Sequence, residues 1–509
     1  MKKILKNTAL ALSALLLAFS AVSCEEKAPE ADAVLFVDGM EYVLSEKGTP
    51  KEYSTLSYDI IGGDSVMPIG GFAVNKVSGG SENGNAKVNF ISDEYMELIH
   101  NMGVNVFSYS TDFYEHKPSQ MRQLLRLCED YGIGMYVSSS SLAAMIGTRT
   151  TGTEIVEMDK ELLYNKVMEF SENLTLESFI GLWIWDEPFP HWQMKNVYTM
   201  AKALKELNLP GVTSYCNICG YWEGESTFWN TCAPTVFETY AKDYMQIDVP
   251  MLSATQYPYT TNWRTLNAEQ QESSIKSQLF GELSIYRAMS NECGKPLWRM
   301  LQAGGDFGSD KKGETYFPNE GEMLWDVNCS LAFGVKGIQY YTLCGYEGDC
   351  RTSDGGYDTY RSGIVGPDGN INEWYYYAQK ANRQIKAIDH VLMHSYNEGV
   401  LVHGDKATEL VGDPLKGTMY EGEQVLIKDS FRQLKSVSGD DAIIGCFDYQ
   451  GGTALYVVNG SRLEKSDITL SFDNKYCYDV TQRTVTTSIV GKTFTLTLEA
   501  GEGALVVLR

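Results

Sequence analysis

Gly181-Leu182-Trp183-Ile184-Trp185-Asp186-Glu187-Pro188 is an apolar run that stops on two adjacent carboxylates and a proline. A run with no polar alternation reads as a strand buried on both faces, as in a parallel sheet covered by helices. Proline ends it, because proline has no amide hydrogen to give to the ladder. Working outward from this strand (180–186), similar short apolar runs occur at 68–74, 104–110, 133–139, 212–217, 251–257, 296–303 and 337–343. Amphipathic stretches separate them. In 121–131, Leu124, Leu125 and Cys128 share one face, and in 194–207, Tyr198, Ala201, Leu204 and Leu207 recur at helical spacing. Eight strand and helix units in succession predict an α/β chain with a (β/α)8 TIM barrel over residues 67–395. A doubly wound open sheet would carry a Gly-x-Gly-x-x-Gly loop after its first strand, and Gly70-Gly71 lacks that spacing.

Beyond the last helical pattern, 371–392, the chain turns strand-like, at 442–449, 453–459, 467–472, 493–498 and 504–508. Turn signals such as Ser438-Gly439-Asp440-Asp441 and Gln450-Gly451-Gly452 separate these runs, which predicts a C-terminal antiparallel β-sandwich over 396–509. Ahead of the barrel, residues 33–66 contain a hairpin, 34–37 and 41–44 around Asp38-Gly39, expected to lid the barrel's bottom. The chain starts with Met1-Lys2-Lys3 and an apolar run, 8–22, the pattern of a secretory signal over residues 1–23. Ala21-Val22-Ser23-Cys24 resembles a lipobox, in which the cysteine takes lipid, and 24–32 reads as a solvated tether. The acidic Glu25-Glu26 after Cys24 resembles the surface-export signal of Bacteroidota lipoproteins. That resemblance implies an outer-membrane lipoprotein facing the cell exterior.

The formal net charge is −24, and cleavage of the signal would remove Lys2, Lys3 and Lys6 as well. Such a surface repels phosphate backbones, so nucleic acid is excluded as a partner. Aromatic residues make up 12% of the chain, which favours sugar stacking only weakly because the same rings fill cores. Cys216 and Cys219 form a Cys-x-x-Cys without a second pair or a histidine cluster, so a structural or free-thiol role outranks zinc. Cys344 and Cys350 flank a Gly-rich loop that they could staple. No His, Asp and Glu spacing suggests a metal, no cofactor is expected, and no Gly-x-Ser-x-Gly elbow points to esterase chemistry.

Working residues of a (β/α)8 barrel stand at the C-terminal ends of its strands. Asp186 and Glu187 occupy that place on the fourth strand. Apolar surroundings and a neighbouring carboxylate both raise a carboxyl pKa, so one of the two can stay protonated and deliver a proton to a glycosidic oxygen. The competing reading is a solvated acidic pair capping the next helix.

Residues 67–509 resemble the retaining glycoside hydrolases built on a (β/α)8 barrel with a trailing β-sandwich. The Trp-Asp-Glu-Pro at 185–188 is similar to the Asn-Glu-Pro of the clan A glycosidases, whose glutamate is acid/base, and that role carries to Glu187. Matching segments are Lys295-Pro296-Leu297-Trp298 through Gln302, Asn319-Glu320-Gly321-Glu322-Met323, Ala332–Ile338 into Tyr340-Tyr341, and Gly366-Pro367-Asp368-Gly369 to Trp374 with Asn382. The clan's nucleophile is a seventh-strand glutamate, whereas this chain has Gln302 there, and an amide cannot form a glycosyl ester.

Three readings follow. Glu187 is the acid and Asp186 orients a 2-acetamido group that attacks the anomeric carbon, as in similar N-acetylhexosaminidases. Tyr257 or Tyr341 would then hydrogen-bond that group. Alternatively, Asp306, Asp310, Glu347 or Asp349 in the following loops supplies the second carboxylate. In the third reading the barrel is a noncatalytic surface glycan-binding lipoprotein. Expected sugar contacts are Gln302, Tyr257, Tyr341, Trp192, Trp222 and Trp263, with Phe189, Tyr221, Trp229 and Tyr259 as further loop aromatics and His191 close to the Asp-Glu-Pro turn. The partner expected is an oligo- or polysaccharide, cleaved by a glycosidase held to the outer membrane through Cys24.

Overall fold

Eight short parallel strands close on themselves: Ile69–Gly71, Val106–Phe107, Gly134–Ser138, Phe179–Asp186, Ser214–Ile218, Leu252–Thr255, Leu297–Gln302 and Gly337–Tyr341. The eighth pairs with both the seventh and the first, completing a barrel. Each strand falls within or beside one of the apolar runs read from sequence. This computed structural model describes residues 34–37, 40–43 and 48–509, apart from 54–55, 73–90, 109–117, 148–151, 170–171, 189–190, 210, 221–233, 256, 260–262, 264–265, 304–317, 345–362 and 367–368.

Closure depends on the two glycines that fail as a phosphate loop. A side-chain carbon at Gly70 would come within 2.7 Å of Gln339, and one at Gly71 within 2.5 Å of Leu343. The first strand can therefore lie against the eighth only without side chains at these positions.

The helical spacings read from sequence hold in part: His191–Leu207 buries Ala201 and Leu204 but leaves Tyr198 exposed. Pro118–Asp130 buries Met121, Leu124, Leu125 and Cys128. Glu320–Ala332 opens on a capping box, in which Asn319 Oδ1 accepts the Glu322 amide and the Glu322 side chain accepts the Asn319 amide. That helix is buried almost all round because the C-terminal strands cover its outer side. Trp325 Nε1 donates to Asn459 O at 2.9 Å, Asn328 Nδ2 to Gly501 O at 2.8 Å, and Tyr456 OH to Asn328 Oδ1 at 2.6 Å. These bonds satisfy the side chains of Trp325, Asn328 and Tyr456 across the junction.

The C-terminal strands follow one hydrogen-bonded path and are antiparallel except where Leu426–Ile427 runs parallel to Ser395–His403. Leu401, Leu434, Ile444, Leu455, Leu470, Leu496 and Val506 share a core separate from that of the barrel. Its longest hairpin joins Ser466–Gln482 to Val485–Leu498, well beyond the short runs expected there. The turn holds Arg483 at φ 60° rather than a glycine, so the usual Asn-Gly or Asp-Gly hairpin signal is missing.

Val34–Val37 pairs antiparallel with Met40–Val43. The bottom of the barrel is plugged by residues just after this hairpin: Tyr58 lies edge-on to Tyr136 and Trp298, with Leu56, Ile60 and Ile61 beside them. Cys24 and the whole signal and tether segment, 1–32, lie outside the described residues, as does Cys350. Cys216, Cys219 and Cys344 are buried. No helix among the described residues is long and apolar enough to cross a membrane.

A buried amine holds the barrel to the sheet. Lys336 Nζ donates to the carbonyls of Leu392 and Ser395, and it lies 5.6 Å from the Tyr53 ring centroid and 5.9 Å from that of Phe447. Leu392 ends helix Glu373–Leu392, where carbonyls have no intrahelical partner. Burial pushes the Lys336 pKa down to about 7. Lys336→Met leaves those carbonyls unsatisfied and should lower stability by about 2–4 kcal/mol. Because the folded pKa lies below the unfolded one, the unfolded chain binds more protons between about pH 7 and 10.5, and the wild type gains stability across that window. Urea titrations should show the gap between wild type and variant widening from pH 7 towards pH 10. A gap that narrows would mean the amine is held as a cation.

Candidate active site

The fourth strand carries both carboxylates to the C-terminal end of the barrel. Asp186 is its last residue, and Glu187 follows with φ 46°. A non-glycine residue in this left-handed region costs on the order of 1 kcal/mol or more, and such strain gathers at functional sites. The Glu187 amide donates to Asn217 O at 3.2 Å, which holds the turn against the fifth strand.

The two side chains have separate anchors. Asn217 Nδ2 donates to Asp186 Oδ1 at 2.8 Å, and Thr255 Oγ1 donates to Glu187 Oε1 at 2.5 Å. Behind Asn217 a polar chain crosses the barrel interior. Asn217 Oδ1 accepts from Ser253 Oγ and from Tyr215 OH at 2.5 Å; Tyr215 OH lies 2.8 Å from Gln339 Oε1, and Gln339 Nε2 donates to Ser253 Oγ at 2.9 Å. A buried network satisfied in this way is rigid, so it sets the Asn217 amide and through it the Asp186 carboxylate. Asn217 and Thr255 were missed in the sequence. Both sit in runs that read as ordinary strand interior, and only the parallel register, pairing Asp186 with Asn217, shows what they face.

Tyr257 and Tyr341, read from sequence as alternatives, lie side by side with ring centroids 5.5 Å apart, and Phe72 lies 5.5 Å from Tyr341. With Met300 they form an apolar cluster beside the carboxylates. Burial holds the Tyr257 phenol well above its ordinary pKa, and the charges of Tyr341, Glu187, Asp186 and Tyr215 push the same way. The hydroxyl therefore stays protonated. Its hydrogen bond goes to Met300 Sδ at 3.1 Å, a weak acceptor that a ligand carbonyl would readily replace.

Gln302 is buried, and both ends of its amide are spent on one residue. Nε2 donates to Tyr259 O at 2.8 Å, and Oε1 accepts the Tyr259 amide at 3.1 Å. It ties the seventh strand to the loop after the sixth. Trp263, expected as a sugar platform, is 2% exposed, with Tyr259 edge-on at 5.1 Å and the Arg462 guanidinium 5.7 Å over its ring. That makes it a core aromatic, covered by Arg462 from the turn between two C-terminal strands. Trp192 is partly buried in the first turn of His191–Leu207, against Gly152, where an added Cβ would meet its ring at 2.3 Å. His191 pairs with Asp243 and not with the carboxylates. Trp222, Phe189, Tyr221, Trp229, Asp306, Asp310, Glu347 and Asp349 lie outside the described residues.

The arrangement of barrel and trailing strands has a counterpart among solved structures. A GH42 β-galactosidase from G. stearothermophilus, solved as a catalytic mutant, is similar with a TM-score of 0.53 over 90% of this chain and 100% of that one, at 9% identity. The two chains share a fold. A GH51 arabinofuranosidase from Xanthomonas axonopodis pv. citri is similar over 90% of this chain and 98% of its own, with a TM-score of 0.42 and 9% identity. No family model and no curated protein matches the chain. Identities this low carry the architecture and no residue roles, so the site's chemistry has to be argued from its own groups.

Proposed function

We propose that this chain is a glycoside hydrolase in which Glu187 is the general acid/base and Asp186 orients the 2-acetamido group of the substrate. The observation that carries this reading is the pair itself. Glu187 is held in a strained left-handed turn at the catalytic end of the barrel, and each carboxylate has its own hydroxyl or amide anchor. A surface acidic pair capping a helix would need neither.

The substrate-assisted route accounts for Gln302. Its amide braces a loop and cannot act as nucleophile, and the reaction needs none from the protein. The acetamido carbonyl oxygen attacks C1 as the glycosidic C–O bond breaks, and protonated Glu187 gives its proton to the leaving oxygen. Asp186 accepts the acetamido N–H and stabilises the positive charge of the oxazolinium ring that forms. Glu187, now a carboxylate, takes a proton from the water that opens this ring, with retention at C1. In this reading Tyr257, protonated and bonded to Met300 Sδ, donates to the acetamido oxygen.

We further propose that the enzyme acts on oligo- or polysaccharide at the cell surface, tethered through lipid on Cys24. The second reading, a noncatalytic glycan binder, draws on the same Gln302, which stands where the resembling glycosidases carry a carboxylate. Aryl N-acetylhexosaminides and plain aryl hexosides separate these outcomes. Hydrolysis of the former, blocked by a thiazoline mimic of the oxazolinium ring, is expected. Turnover of plain hexosides without thiazoline inhibition would sink the acetamido route and move the search to the loop carboxylates.

A further inference from the structure

Helix Glu282–Cys293 ends just before the seventh strand begins at Leu297, so its second half lies at the end of the barrel opposite Glu187. Arg287 on this helix is 5% exposed. Its Nε donates to Asn397 Oδ1 at 2.6 Å and its Nη2 to Asn397 O at 2.9 Å, both neutral amide oxygens. No carboxylate lies within ion-pair distance of it among the described residues. A buried guanidinium with five N–H groups and two neutral acceptors is only partly satisfied.

That guanidinium lines a cavity of about 490 Å³ between the barrel and the C-terminal strands, a size in the usual range for small-molecule sites. Glu292, Glu398, Glu423, Gln424 and Tyr396 also line it. Glu398 is engaged by Lys51 at 2.7 Å and Arg432 at 3.2 Å, and Glu292 accepts the Tyr420 hydroxyl at 2.6 Å. The cavity therefore sets a cationic donor at its floor against carboxylate acceptors at its rim.

We propose that this cavity is a second, noncatalytic binding site for a neutral, hydroxyl-rich ligand, a saccharide unit. Arg287 donates to its hydroxyl oxygens, and Glu292 and Glu423 accept from its hydroxyl hydrogens. Other ligand classes fit worse. An anion meets Glu292 and Glu423 on its way to Arg287, with the other lining cation, Lys51, already paired to Glu398; a cation meets Arg287 at the floor; and an apolar group would leave the remaining guanidinium N–H groups unpartnered. A sugar hydroxyl both donates and accepts, so it satisfies both walls without bringing a charge. Burial lowers the Arg287 pKa from its ordinary value, but arginine stays charged in proteins, so the donor role holds. This assignment does not depend on Glu187 being catalytic.

The test is an oligosaccharide array, carrying neutral and uronate-containing glycans, probed with the whole chain and followed by calorimetric titration of the strongest neutral hit. Two variants address the cavity: Arg287→Met removes the floor donor, and Gln424→Trp, at an exposed rim position, plugs the mouth without disturbing the core. Neutral glycans should bind, and both variants should weaken that binding tenfold or more while aryl glycoside turnover stays unchanged. Absence of neutral binders, equal affinity in wild type and Gln424→Trp, or an Arg287-dependent preference for uronates would each overturn the proposal. A wild type without turnover whose array binding is still weakened by both variants would instead count against the hydrolase reading alone.

Discussion

Glu187→Gln should lower kcat on aryl N-acetylhexosaminides by about 10²–10⁴-fold, the usual worth of a positioned general acid, with KM little changed. Glutamine keeps the shape and can still accept the Thr255 hydroxyl through its amide oxygen, and it occupies the same left-handed backbone. It cannot release a proton. The loss should therefore depend on the leaving group: large for a poor one such as methylumbelliferone, and much smaller for dinitrophenol, which departs without protonation. That gradient distinguishes a missing acid from a disturbed fold, which would slow all substrates alike. Equal rates for variant and wild type would remove Glu187 from the mechanism. A wild type inert on every glycoside, yet bound to glycans, would establish the binder.

The largest stability effect is expected from Asp326→Ala. Arg299 and Asp326 form an ion pair at 2.6 Å between the seventh strand and helix Glu320–Ala332, with side chains 1% and 4% exposed. Arg299 Nη1 is also bonded to Ser330 Oγ at 2.6 Å. Burial raises the Asp326 pKa, and the neighbouring guanidinium opposes that rise, so the pair is held together against a desolvation penalty. Removing the carboxylate takes the counter-charge away from a guanidinium buried in the core, at a cost of about 3–5 kcal/mol. Urea denaturation measures it. The double variant Arg299→Met/Asp326→Leu should recover much of the loss, because no charge is then left buried. A single-variant loss under about 1 kcal/mol would show that the pair is solvated or that the core rearranges around it.

The barrel was legible because a parallel strand covered on both faces leaves a short apolar run that nothing else in a soluble chain imitates eight times over. The carboxylate pair was legible for the same reason: Asp186 and Glu187 interrupt such a run at its C-terminal end. Their anchors were not. Asn217 and Thr255 are short polar residues whose role arises from which strand lies beside which, a fact of register that no local pattern encodes. Trp263 misled in the opposite direction. An aromatic beyond a strand end looks available, but Trp263 is buried, and Arg462, distant in sequence, covers its ring. The long hairpin 466–498 escaped because Arg483 takes a backbone conformation usually left to glycine.

The turn at Glu187 has an evolutionary consequence. Glycine or asparagine would sit there with less strain, so the backbone alone favours discarding the glutamate, and the proposed acid/base role is what would oppose that drift. Under that proposal, barrels that lost the reaction would come to carry those small residues at this turn, and the residue found there would sort active from inactive copies before any assay is run.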